Sequence, residues 1–190
     1  AAFRQAIVIG DETFPMAAGA FRASLALLLA QQGTLDEAQS LLEAGKAQVK
    51  NHAEEHAKFL SKKGQVCHLA GDAAGARAAL KQAQKIAAEL AVTDDSEVGQ
   101  AIAALVAVLS QGVEEGSEDA RELALIEAER LLELGRIELA QSNFEESVNC
   151  LQQALNLFRK HGDRTREGKA LGTLGVNYNY QGQNDWAMAL

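Results

Sequence analysis

Four times along this chain a small residue is followed by a second after seven positions and a third after five more. The sets are Ala26, Gly33 and Ala38; Gly64, Gly71 and Ala76; Gly135, Ser142 and Ser147; and Gly175, Gly182 and Ala187. A strand alternates its faces with a period of two and has no use for such intervals. Two antiparallel helices do: small side chains let the axes approach, and a small residue between the helices supplies the backbone freedom of a tight turn. In the second half of the chain the correspondence reaches further. Leu134-Gly135, Ser142, Ser147 and Cys150-Leu151 return forty positions later as Leu174-Gly175, Gly182, Ala187 and Leu190. A fixed offset that preserves residue size is the mark of a stacked repeat, in which each unit buries its apolar face on the next.

The pattern resembles the tetratricopeptide repeat, in the longer-period form found in large bacterial signalling proteins. In that family helix A carries a Leu-Gly or Leu-Ala step, the turn a small residue, and helix B an Ala. Here the steps are Leu25-Ala26, Lys63-Gly64, Leu134-Gly135 and Leu174-Gly175, with Lys63 and Ser147 departing from the family's apolar and Ala positions. The resemblance implies an all-α fold, a right-handed α-solenoid of antiparallel helix pairs forming a TPR-like superhelix. It also implies an interaction scaffold that holds a protein or peptide ligand on its concave face, as part of a larger signalling or regulatory protein. Ligand contacts in such repeats come from helix A, which maps them to Lys58, Ser61, Gln65, His68, Arg136, Leu139, Lys169, Asn179 and Tyr180. The clamp by which chaperone-binding members hold a C-terminal carboxylate is missing, because Ala20, Ala23, Leu132 and Gly172 stand at its positions.

Composition agrees with an Ala- and Leu-built scaffold: of 190 residues 47% are hydrophobic but only 5% aromatic, and Pro15 is the single proline. Such interfaces pack closely and bury little area per residue, which suits nearest-neighbour stacking. A formal charge of −8 argues against nucleic acid or an anionic membrane as partner. No signal peptide is visible and no apolar run is long enough to span a bilayer. Cys67 and Cys150 share no motif spacing and read as small core residues in a reducing cytoplasm.

In chain order, 1–9 reads as a helical fragment closed by Gly10-Asp11, an echo of His161-Gly162-Asp163. Pro15 opens a helix to about Gln32, followed by helices at 34–50, 52–70 and 72–91. Asp94-Asp95-Ser96 caps a further helix to about Gln111, whose Ile102, Leu105, Val106 and Leu109 make it apolar on one side, as a terminal capping helix should be. An acidic, Gly-containing linker at 112–119 then separates the first block, 1–111, from a second, 117–190. The second block reads as helices to Gln141, from Asn143 to Lys160, from Arg164 to Gln181, and from Asn184 onward. Thr34-x-x-Glu37 and Ser142-x-x-Glu145 have the spacing of capping boxes.

Chemistry is sparse. His52-x-x-Glu55-His56 matches the HxxEH arrangement of one zinc hydrolase class, with two His one turn apart for the metal and a Glu to activate water. It lies, however, at a polar helix start, and no third acidic ligand is marked downstream. No Walker loop, dinucleotide fingerprint, nucleophile elbow or kinase motif is present. The expectation is therefore a protein without catalytic residues, cofactor or metal.

The ends suggest a second role. A complete helix B with its closing glycine takes the twenty residues that follow Ser142, up to Gly162, whereas eight follow Gly182 and ten precede and include Gly10. Eight and ten make eighteen, nearly one helix B split between the termini. The linker reaches less than about 30 Å, short for joining the far ends of one stack. The expectation is head-to-tail or swapped self-association through Trp186, Leu190 and Phe3, with a plain truncation as the alternative.

Overall fold

The computed structural model describes residues 2–93, 95–111, 113, 114 and 116–182. Among these residues the regular structure is entirely helical. The elements are α1 Ala2–Thr13, α2 Pro15–Gln31, α3 Leu35–Val49, α4 Ala53–Leu69, α5 Ala73–Glu89, α6 Glu97–Ser110, α7 Glu118–Ala140, α8 Phe144–Lys160 and α9 Arg164–Tyr180.

The turns explain where the helices stop. At the α4–α5 junction Gly71 has φ +77, and its amide donates to the His68 carbonyl at 3.0 Å while the Asp72 amide donates to the Cys67 carbonyl at 2.9 Å. That pair of bonds is a Schellman closure, which satisfies the last carbonyls of a helix and needs a left-handed residue. The same pair closes α2, α7 and α8. The residue after the left-handed one is then the N-cap of the next helix; Asp72 and Asp163 accept from the amides of Gly75 and Arg166 at 2.8 and 2.9 Å.

Two local readings of the sequence are overturned. Neither capping box forms: Thr34 caps α3 without a side-chain bond, and Asn143, not Ser142, caps α8. Ser142 sits at φ +66 in the closing turn of α7, the place that glycine holds at the other helix-pair turns. Nor does Gly10 close the first helix, which continues to Thr13. A Cβ on Gly10 would lie 3.0 Å from Ala18 Cβ, so this glycine serves close packing of α1 on α2. The helix ends because Pro15 drives Phe14 out of the α region, to φ −151 and ψ 76. At the end of the acidic segment Glu118 and Asp119 form the first turn of α7.

The chain divides into two compact units, Ala1–Gly112 and Val113–Leu190. In the first, α2 and α3 run antiparallel, crossing closely where a Cβ on Gly19 would lie 3.0 Å from the Gly45 carbonyl oxygen. Ala23, Ala26, Ala30, Ala38, Leu42 and Val49 from this pair share one core with Phe59 and Val66 of α4. The next step repeats it, as Gly64 of α4 receives Leu105 of α6 while backing onto the carbonyl of Ala76. In the second unit Gly135 of α7 faces Leu151 and the Ser147 carbonyl of α8. Ser147 is tolerated where a repeat would place Ala because its buried hydroxyl donates to the Gly135 carbonyl at 2.6 Å. Around this crossing Leu131, Leu132, Leu151, Leu155, Phe158 and Leu174 form the core. The small residues of the seven-then-five pattern thus sit at crossings and turns in three sets; in the fourth, Ala187 lies outside the described residues.

Candidate interaction surface

The helix-A residues singled out by the family resemblance do not share one environment. On α4, Ser61 is fully buried, with its hydroxyl donating to the Ala57 carbonyl, so it faces the protein interior and not a groove. Lys58 is half-buried and held by two carboxylates, Glu55 at 2.5 Å and Glu97 of α6 at 2.8 Å. Burial opposes its charge, but those hydrogen bonds outweigh it and raise the Lys58 pKa above 10.5. Gln65 and His68 are half-buried. Helical geometry explains the spread, because successive residues are rotated by about 100° and a row at i, i+4, i+7 and i+11 is needed to stay on one face.

That row on α4 is Lys58, Lys62, Gln65 and Leu69, and it contains a residue that sequence reasoning missed. Lys62 is half-buried and donates to the Ser24 hydroxyl of α2 at 2.8 Å. Among the described residues no carboxylate contacts it. Burial first, and then the charge of Lys58, lower its pKa below 10.5 against the opposing pull of Glu55. Ser24 in turn belongs to the α2 row of Ala20, Ser24, Leu27 and Gln31. The two rows lie side by side, joined by the Lys62–Ser24 bond, and give a strip with a partly desolvated cation at its middle and Leu27 and Leu69 toward one end. The signal available in the sequence was the spacing of Lys58 and Lys62 by one turn.

In the second unit, Arg136 is exposed and paired with Glu133 at 3.2 Å, and Leu139 is half-buried. Lys169 and Asn179 are exposed, and Tyr180 is 68% exposed with its ring stacked on Phe144, centroids 6.4 Å apart. The neighbouring Asn177, also missed, is fully buried and donates to the Phe144 carbonyl at 3.1 Å, pinning α9 to the start of α8. The ring of Phe3 of α1 meets that of Phe21 at a tilt of 52°, centroids 6.3 Å apart. Trp186 and Leu190 lie outside the described residues. α1 ends at Thr13 with Gly10 inside it, so the first helix runs past the ten residues used in the count over the two termini.

The His52, Glu55 and His56 trio does not converge. His52 stands exposed at the N-cap of α4, and Glu55 is engaged by Lys58. His56 is half-buried, and burial, then Lys46 and Lys50, lower its pKa below 6.5. No group of three or more His, Cys, Asp or Glu among the described residues could hold a metal. Cys67 and Cys150 are half-buried thiols, and burial, then Asp72, push the Cys67 thiol above 9.0, away from nucleophilic use. No helix among the described residues is long and apolar enough to cross a membrane.

Among the described residues the architecture is all-α, and the packing of neighbouring helices is consistent with a helical repeat. Compared with known proteins, the chain matches no protein-family model and no curated protein sequence.

Proposed function

We propose that the chain is a TPR-type interaction scaffold, each unit a right-handed stack of helix pairs, and that the α2–α4 strip binds an acidic peptide segment of a partner protein. The observation that carries the reading is Lys62, a half-buried cation whose hydrogen-bond partner among the described residues is the Ser24 hydroxyl. A carboxylate placed there would gain a charge-assisted hydrogen bond in a partly desolvated site, worth about 1.5–3 kcal/mol. Apolar side chains on the same segment would rest on Leu27 and Leu69. Lys58 contributes orientation more than affinity, since Glu55 and Glu97 already hold it.

Panning random displayed peptides against the full chain tests this. Sequences rich in Asp and Glu should be enriched, and Lys62→Met should weaken their binding by about tenfold or more, the equivalent of one such bond. Enriched peptides without acidic residues, or acidic ones indifferent to Lys62→Met, would reject the proposal.

A further inference from the structure

Helices α2, α4 and α6 occupy equivalent places in the first unit, and each presents two different rows to its neighbours. Residues 38 positions apart correspond between α2 and α4, and 43 positions apart between α4 and α6. The leading row is bulky: Phe59 and Val66 on α4, Ile102 and Leu109 on α6. Both pairs are buried, Phe59 at 2% and Val66 at 1% exposure. The trailing row is small: Ala23, Ala26 and Ala30 on α2, Ser61 and Gly64 on α4, Ala104 and Ala107 on α6. Each internal step brings bulky residues onto the small row and helix B of the repeat before it, as where Leu105, one turn beyond Ile102, enters the space at Gly64 and Phe59 that at Gly45.

The two outer faces of the unit are the unused halves of this arrangement. On α2 the leading row is Phe21 and Leu28, exposed at 36% and 42%; α1 already stands where the helix B of a preceding repeat would, with Phe3 against Phe21 at 6.3 Å, and among the described residues no helix A lies before them. On α6 the trailing row of Ala104 and Ala107, flanked by Gln100 and Gln111, is exposed. Neither row carries a charge, so bringing them together desolvates no ion. Bulky residues wait on one face, and the small residues that accept bulky ones inside the unit lie bare on the other.

We infer that a second copy of this chain covers the α2 face with its own α6, continuing the α2–α4–α6 stack between molecules. The contact is heterologous, head to tail, so it can propagate beyond a dimer. It reuses a packing step made twice within the unit, which fixes the occupant as another trailing row of this type. It is independent of the strip at Lys62.

Sedimentation velocity of the full chain across a concentration series tests the inference. Mass should rise with concentration, and Leu28→Glu or Ala107→Glu alone should return a monomer, with helical circular dichroism unchanged because both positions are exposed. Mixing the two variants should give a pair that stops at two copies, since one intact face remains on each. A monomer at every concentration would overturn the inference. So would a rising mass that Leu28→Glu abolishes and Ala107→Glu does not, which would assign the α2 face a different occupant.

Discussion

Ser142 and Gly135 show how narrowly single residues are constrained. At φ +66 a serine side chain crowds its own backbone, and this cost of about 1 kcal/mol is avoided by glycine. Ser142→Gly should therefore raise the unfolding free energy by roughly 1 kcal/mol, read by urea denaturation. Gly135 and Gly168 give opposite expectations from the same substitution. A Cβ at Gly135 would lie 2.7 Å from Leu151 Cγ and 3.2 Å from the Ser147 carbonyl oxygen, a backbone atom that cannot swing away. Gly135→Ala should destabilise by about 1–3 kcal/mol through overpacking, less what alanine's better helix propensity returns, and Gly135→Leu by more. Gly168 has nothing within 4 Å among the described residues, so Gly168→Ala should stabilise by about 0.5–1 kcal/mol. The same sign for both would mean that the α7–α8 crossing is misplaced. Glycine is one letter with two uses, turn and close approach. Gly33 and Gly71 were legible as turns through their repeated intervals, whereas Gly10 could be placed only by knowing that α2 sets Ala18 opposite it.

At the level of elements, helix starts and ends were largely legible, because turn residues and caps act through neighbours in sequence. Which side of a helix meets solvent was less so. A shift of one residue turns the face by about 100°, enough to exchange the buried Ser61 for Lys62. The attachment of α1 depended on contacts that no local pattern announces. Arg22 of α2 donates to both Asp11 carboxylate oxygens at 2.6 and 2.7 Å, and Gln48 of α3 donates to Asp11 at 2.9 Å. Arg22 first and Gln48 second hold the Asp11 pKa at about 2, below its ordinary 3.8. A depressed carboxylate pKa stabilises the fold above the unfolded value and loses that contribution as pH falls through the folded one. Protection of the α1 amides relative to their intrinsic exchange should thus fall between pH 3.8 and about 2, and Asp11→Asn should show the lower protection already at neutral pH with less further change in that window. Lys62 has the reverse sense. Its lowered pKa means that its charge weighs against folding below the folded pKa, and that this cost fades as pH rises toward 10.5. Denaturation midpoints should climb over that range in the wild type, and the Lys62→Met variant should lack that part of the rise.

The whole chain is organised as two units, and each closes its own core. The repeat pattern could announce that neighbouring helices stack, but the break in the middle came from composition, where the acidic, glycine-bearing segment ends one series and Ser117 caps the next helix by accepting from the Ala120 amide at 3.1 Å. Phe158 lies in the second core only, fully buried among Leu131, Leu155 and Leu174. Truncating a buried phenylalanine removes its transfer free energy and leaves a cavity, at a cost of about 3–5 kcal/mol. Against a typical total stability of about 5–15 kcal/mol for a domain, that loss falls on a unit with a thin, alanine-containing core. Stacked repeats share stability with nearest neighbours, so the damage should travel through α7, α8 and α9. Phe158→Ala should therefore bring a second, earlier transition into the thermal melt, with fast amide exchange in α7, α8 and α9 while the amides of α2, α3 and α4 keep wild-type protection. If protection fell equally in α2, α3 and α4, the two units would be one cooperative body and the division of the core would have no energetic meaning.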